Sequence, residues 1–438
     1  MLILIHILLL VGCTNKSTDN SYLETEDKSK EITIAVWNKY IGGDGELVDP
    51  IIGNTRIKFG LERDVSVSYD IIYANTFEEY LEKLNIRLYQ DNGPTLLYFY
   101  NSSSAKKYIE QGIALDVKNK IQNTKKLYDI FVGDNMYYIP IGMNYSAISL
   151  YKETLDMLDI KEPSLNWTKK DFLDIREKWL NYEKRLFTGQ EYLYLVTYPY
   201  YELDIIDGKT KEIHLNNDGV KEFLRKTRSD IFSEKYCLSH DPDFYYNAIF
   251  NFKSKESNIL SDEIKSYGDQ LLSTSYSENT LKVRSRVRKN KNIIVLPSVY
   301  NKDLHTYGFM VNKNGKNVKL GLEFINELLS NENQMKLYTD EVYWFYPVNK
   351  EIEDEINERD KKNNMDEKYI SMRKIILDRI KSQKGINYLG EGMKVKHIRD
   401  SIKKDFFKII FSEKEYTDEE LENKLIEMEN KYQLYFRE

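Results

Sequence analysis

The stretch from Tyr137 to Tyr151 constrains the fold more than any other. Two apolar, β-prone runs, Tyr137 to Ile141 and Ala147 to Tyr151, flank Gly142, Asn144 and Ser146, which tolerate unusual dihedrals and carry polar groups. This is the pattern of a strand that leaves one lobe and enters another. A break at its middle is a hinge, and a hinge between two compact lobes sets polar and aromatic groups at the mouth of a cleft.

The length allows two lobes. A chain of 438 residues exceeds the roughly 250–300 at which a single hydrophobic core stops growing, so at least two cores are expected. A net charge of -6, from 64 basic and 70 acidic residues, gives no positive field to draw the chain onto nucleic acid and too small an acidic excess for an acidic tail. Aromatics are 13% of the chain, with 35 tyrosines against 4 tryptophans. A tyrosine offers a sugar a flat apolar face and a hydroxyl, but drift in a Lys-, Asn-, Ile- and Tyr-rich genome, together with core packing, accounts for most of them.

The two cysteines, Cys13 and Cys237, exclude a disulfide framework. Cys13 ends a short apolar run at Leu10-Val11-Gly12-Cys13 and is followed at once by the polar Thr14 to Asn20. This resembles a bacterial lipobox, in which small residues before the cysteine suit the signal peptidase and the thiol is lipidated. About 12 apolar residues are too few to cross a bilayer, which disfavours a retained transmembrane anchor and leaves a buried helix as the alternative. No Lys or Arg precedes the run, which a start codon further upstream would explain. Residues 1–13 are thus expected to be a signal peptide with its lipobox Cys13, and 14–30 a flexible tether.

From there strands alternate with helices. Ile32 to Trp37 is a buried-strand run, and Asn38 to Gly45 a loop at its C-terminal end, the end that faces ligands in open α/β sheets. Val65 to Tyr73 alternates as a second strand, and Thr76 with Glu79 forms a capping box for a helix through Leu81, Leu84 and Leu88. Gly93-Pro94 turns the chain into the apolar Thr95 to Tyr100, with Asn101 to Ser104 as the loop that follows and a helix from Lys106 stopped by Gly112. Beyond the hinge, Thr168 caps a helix from Lys169 to Asn181, Asp207-Gly208 suits a hairpin, and Asn217 with its neighbours caps a helix from Gly219 to Arg228. Basic residues at every second position around Val283 to Arg288 share one face of a strand, as an anion site or as a guarded edge. Asn292 to Pro297 is another strand, Val318 to Leu329 a helix, and the charged remainder is helical, most clearly over Tyr369 to Ile380 and Leu421 to Tyr432. The alternation predicts βαβ units and a mostly parallel sheet.

These segments, in this order and behind a lipobox, resemble the extracellular solute-binding proteins of bacterial ABC transporters, the family that includes maltose-binding protein. Ile32 to Trp37 is similar to the family's first strand, Gly93 to Phe99 to its Gly-Pro-Asp-aliphatic-aromatic run, and Tyr108 to Asp116 to the helix and turn after it. Tyr138 to Lys152 resembles the first interlobe crossing, Asn292 to Ser298 the second, and Pro347-Val348-Asn349-Lys350 the third. Thr95 stands where the family usually has Asp, and the segment from Asn247 to Lys282 lacks the family's strand ending in tryptophan. The resemblance implies an α/β, two-lobed, type II periplasmic-binding-protein-like fold with three crossings. Lobe 1 would span 31–142 and 298–346, and lobe 2 would span 143–297 and 347–438.

By position, the resemblance nominates ligand-binding residues: Trp37 and Asn38 in the first-strand loop, Phe99, Asn101 and Ser102 after the third strand, and Asn144 and Tyr145 at the hinge. Tyr198, Tyr200 and Tyr201 would form a second-lobe aromatic wall, and Trp344 and Tyr346 would mark the last crossing. Such residues suit a sugar, aromatic faces stacking on the apolar face of the ring while Asn and Ser pair with hydroxyls. For each aromatic the alternative is core packing.

Motifs for other chemistry do not appear. Five scattered histidines lack further metal ligands, Gly42-Gly43-Asp44-Gly45 is neither a phosphate loop nor a dinucleotide fingerprint, and no Gly-x-Ser-x-Gly elbow occurs. Neither cofactor nor metal is expected. The reading is a non-enzymatic monomer, lipid-anchored on the outer face of the bacterial cytoplasmic membrane, that captures a sugar or oligosaccharide and hands it to the transmembrane permease of an ABC transporter. A surface lipoprotein enzyme acting on carbohydrate through two carboxylates, or a lobe presenting ligand to a membrane kinase, are the alternatives.

Overall fold

The computed structural model describes residues 30–43, 45–47, 49–88, 93–145, 147–183, 198–208, 210–232, 292–299, 304–339, 345–382, 393–412 and 414–437, and the single position 255. The segments expected to be a signal peptide and a tether, up to residue 29, and the basic run near 283–288 lie outside them.

The chain opens with β1 (Glu31–Trp37), α1 (Pro50–Arg63), β2 (Ser66–Ile72), α2 (Phe77–Leu88), β3 (Leu96–Phe99) and α3 (Lys106–Glu110), the expected alternation. Then come β4 (Ile139–Asn144), β5 (Ala147–Tyr151), α4 (Lys152–Met157), α5 (Lys169–Glu183), α6 (Tyr198–Glu202), β6 (Ile206–Asp207), β7 (Glu212–Ile213) and α7 (Asp218–Phe232). The last part holds β8 (Ile293–Pro297), β9 (His305–Val311), α8 (Val318–Leu328), α9 (Asn331–Thr339), β10 (Tyr346–Pro347), α10 (Glu353–Lys362), α11 (Glu367–Ser382), α12 (Met393–Ile410) and α13 (Asp418–Arg437). The capping signals act as read. Glu79 N donates to Thr76 Oγ1 (3.2 Å), Asp171 N to Thr168 Oγ1 (3.2 Å) and Val220 N to Asn217 Oδ1 (3.0 Å).

A six-stranded sheet runs in the order β10-β4-β9-β3-β1-β2. β1 pairs parallel with β2 and β3, whereas β9 enters antiparallel between β3 and β4. β5 and β8 form a separate antiparallel pair, and β6–β7 is the hairpin expected at Asp207-Gly208. Three apolar clusters follow. Two cover the faces of the large sheet, one centred on Ile34, Tyr98, Ile141 and Phe309 and the other on Leu97, Tyr108 and Tyr138, while the third gathers Leu150, Phe172, Phe223, Phe406 and Leu425 around β5–β8. Two lobes with separate cores result, and the chain passes between them from β4 to β5 and from β8 to β9.

The third passage comes later than the sequence suggested. Val348, Ile352, Ile356, Tyr369, Met372 and Ile380 pack with the first core, and only from Val395 onward do side chains join the second. Local bonds give the reason. Tyr128 N donates to Val348 O (3.2 Å), Asn349 Nδ2 to Asn331 Oδ1 (2.9 Å), and the buried Arg373 of α11 is paired with Asp360 of α10, both touching the Tyr338 hydroxyl of α9. α10 and α11 are thereby fastened to lobe 1. Thr95 also has a structural role, since its hydroxyl donates to Lys316 O (2.7 Å) and accepts from Thr33 N (3.2 Å).

Candidate functional site

The C-terminal ends of β1 and β3 and the ends of β4 and β10 converge on one edge of the first lobe, and aromatic side chains line it. Trp37 meets Tyr40 edge-on at 5.5 Å, Tyr40 stacks on Tyr100 at 5.2 Å and 22°, and Tyr100 meets Phe345 edge-on at 5.6 Å. Phe345 packs on Tyr307 at 4.3 Å, completing a belt. Tyr100 is 37% exposed while Trp37 and Tyr40 are half-buried, so part of the belt faces outward. Burial, and then the charge of Tyr100, pushes the Tyr40 hydroxyl pKa up to about 12, so both phenols are neutral donors at ordinary pH.

Beneath the belt lies Asp49, 8% exposed, the N-cap of α1, which accepts from Ile51 N (3.2 Å). Burial pushes its pKa up to about 6, against the smaller opposing pull of the Tyr307 hydroxyl and the Ile51 N–H. At the crossing, Asn144 is half-buried at the end of β4 opposite His305, and its side-chain oxygen is buried without a hydrogen-bond partner among the described residues. An unmet acceptor beside a belt of rings suits a ligand hydroxyl.

The nominated residues divide. Trp37 belongs to the belt, though its indole donates to Ala74 O (3.0 Å) and its ring stacks on Tyr80 at 5.8 Å. Asn38 accepts from Ala74 N (2.9 Å), so it pins the loop after β2. Asn101 is half-buried past β3, and Ser102, 4% exposed, opens the single turn that follows. Four rings are corrections. Phe99 is 2% exposed and stacks on Tyr108 at 5.8 Å in the sheet's opposite core, because successive side chains of a strand face opposite ways. Tyr145 and Tyr346 are buried and face each other at 5.7 Å. Tyr200 is wholly buried in the second core with its hydroxyl donating to Arg399 O (2.5 Å). None of these four presents a face to a solute.

Tyr201 remains exposed, with the Lys403 ammonium 5.2 Å from its ring centre, and burial depresses the pKa of that lysine. Trp344, Cys13 and the side chain of Tyr198 lie outside the described residues. Sequence reasoning missed Tyr40, Tyr100, Tyr307, Phe345 and Asp49. Tyr100 carried a signal, being the first residue past a strand end, and Asp49-Pro50 carried the mark of a helix start. Among the described residues no group of three or more His, Cys, Asp or Glu is placed to hold a metal ion.

The two-lobed fold is shared by known proteins. The ABC substrate-binding protein Lmo0181 from Listeria monocytogenes, solved with cycloalternan, is similar over 92% of this chain and 97% of its own, at 16% identity and a TM-score of 0.57. The GacH receptor of Streptomyces glaucescens GLA.O, solved unliganded and with acarbose, matches over 93% and 98% at 13% identity and a TM-score of 0.59. Maltose-bound MalE3 of T. maritima matches over 92% and 99% at 11% identity and a TM-score of 0.57. Identities this low establish the fold, the two-lobed periplasmic-binding-protein architecture. No curated protein matches the chain in sequence. The family model described as bacterial extracellular solute-binding protein matches residues 58–366, most of the chain, and the chain belongs to that family.

Proposed function

We propose that the chain captures a sugar or oligosaccharide between its lobes, without turnover, and delivers it to the permease of an ABC transporter while tethered through a lipid on Cys13. The observation that carries the reading is the outward-facing part of the belt, Trp37, Tyr40 and Tyr100, beside the unmet acceptor of Asn144. Rings of this kind cover the apolar face of a pyranose while the phenols and the amide meet its hydroxyls. Acarbose, cycloalternan and maltose, the ligands of the similar structures, set the first panel. Calorimetry of an oligosaccharide panel, with chromatography of the mixture afterwards, tests the proposal. Binding with the sugar recovered intact is expected, whereas released product would turn the reading towards a carbohydrate-active enzyme. Palmitate labelling in a bacterial host, lost in Cys13→Ala, is the expectation for the tether.

A further inference from the structure

Gly142 lies buried inside β4, with Tyr307 of β9 opposite it on one side and Pro347 of β10 on the other. A glycine inside a strand packs nothing and weakens it, so its presence there points to a special backbone angle or to a close approach. The angle is not the reason. Positive φ belongs to Gly45 and Gly112 among the described glycines, so the dihedral freedom that the sequence suggested at Gly142 is not used. Space explains the residue instead, because a Cβ built on it would lie 2.2 Å from Cε1 and 3.0 Å from Cζ of Tyr307, and 2.9 Å from Cβ of Phe345.

Both of those rings belong to the belt. Tyr307 and Phe345 pack at 4.3 Å, and Phe345 meets Tyr100 at 5.6 Å. Tyr307 is wholly buried and also meets the buried Tyr98, ring to ring, at 6.2 Å. A close-packed interior passes a displacement on rather than absorbing it. Of these four rings only Tyr100 is exposed. A ring lifted off Gly142 therefore has one way to give, through Phe345 to Tyr100.

We infer that Gly142 is a positioning residue of the solute site: its missing side chain lets Tyr307 and Phe345 lie against β4, and that seat sets where Tyr100 stands. This rests on the reading of the belt as the solute site. With a side chain at position 142 the rings would stand further out. In the absence of solute the outward shift costs the fold little, since Tyr100 can move into water. A seated sugar presses the belt back against the added carbon, so the strain falls on the bound state and is read as lost affinity more than as lost stability.

The test is calorimetry of maltose, acarbose and cycloalternan with the wild type, Gly142→Ala, Tyr307→Leu and the double variant, together with the melting temperature of each. Tyr307→Leu removes Cε1, the atom that the added carbon would meet first. Gly142→Ala should weaken the sugar that the wild type binds by about tenfold, a loss in the ordinary range for overpacking, at a melting temperature close to that of the wild type. Although Tyr307 is buried, Tyr307→Leu should weaken binding severalfold by loosening the seat of Phe345. The double variant should bind at most about twofold more weakly than Tyr307→Leu, because two changes that act through one ring do not add. Wild-type affinity in a folded Gly142→Ala overturns the proposal, and so does an equal loss on adding Gly142→Ala to either background; both leave sugar binding standing. If Gly142→Ala does not fold, Tyr307→Leu decides, with a severalfold loss supporting the proposal and wild-type affinity overturning it. If none of the three sugars binds the wild type, the functional reading fails and this inference falls with it.

Discussion

Phe99 and Tyr100 are neighbours in sequence with opposite fates. Phe99 completes β3 and is packed against Tyr108, while Tyr100, one position past the strand, is 37% exposed beside Tyr40 and Phe345. The substitutions should separate accordingly. Tyr100→Ala should weaken sugar binding by about 1–3 kcal/mol at nearly unchanged melting temperature. Phe99→Ala should cost about 3–5 kcal/mol of stability by opening a core cavity. Calorimetric titration and urea unfolding read the two effects, and a large loss of affinity with an intact fold in Phe99→Ala would contradict the assignment. Asp49 yields a second expectation. Its folded pKa is raised from 3.8 to about 6, so the folded state holds the proton more tightly than the unfolded chain. Stability from this group is fully present below pH about 4 and is lost as pH rises through 6, by about 3 kcal/mol. Asp49→Asn should therefore gain on the wild type in melting temperature between pH 4 and 7, and parallel curves would refute the shift. Neither effect was legible in the residues alone. Thr95 to Tyr100 has no polar face, so the run announces a buried strand without saying which ring faces which core.

At the scale of elements the sequence was more informative, because a cap is a local object. Thr76 with Glu79 and Thr168 with Asp171 close their helix ends through residues three apart, and both starts could be read directly. The fastening of α10 and α11 to the first lobe could not. It depends on Arg373 reaching Asp360, which is 13 positions away, and Tyr338, which is 35 away, and in sequence these residues look like ordinary members of charged helices. Gln334 is similar: it is wholly buried, donates to Ile141 O (2.9 Å) and accepts from Val348 N (2.9 Å), so it joins α9 to β4 and to the chain past β10. Arg373→Met should destabilise by about 3–5 kcal/mol in urea unfolding, since it strands a buried carboxylate, while Arg373→Met with Asp360→Leu should recover much of the loss. A single substitution within about 1 kcal/mol of wild type would mean that the pair does not hold these helices, and that the late third passage has another cause.

For the whole molecule, the placement of the first two crossings determines how the lobes can move. β4 lies beside β9 in one sheet and β5 beside β8 in the other, with Asn144 opposite His305 on one side of the gap and Ala147 opposite Pro297 on the other. Between these two described pairs the ladder lapses at a single level, and the strands on its two sides form one ribbon. Rotation at that level breaks no strand pairing, and it is the inexpensive motion for two bodies that each keep a packed core. α11 limits it, packing in the first core while Arg379 donates to Ser298 O (3.2 Å) at the second crossing. A sugar on the belt touches mainly lobe 1, so closure is favoured only by what the second lobe adds, and population shift follows that difference in affinity. Small-angle scattering should therefore show a smaller radius of gyration at saturating sugar. Tyr100→Ala should reach the same closed radius at a higher sugar concentration, because it removes a contact on the lobe that binds first. A scattering curve that stays unchanged at saturation would mean that the ribbon is rigid and that the solute is held on an open face.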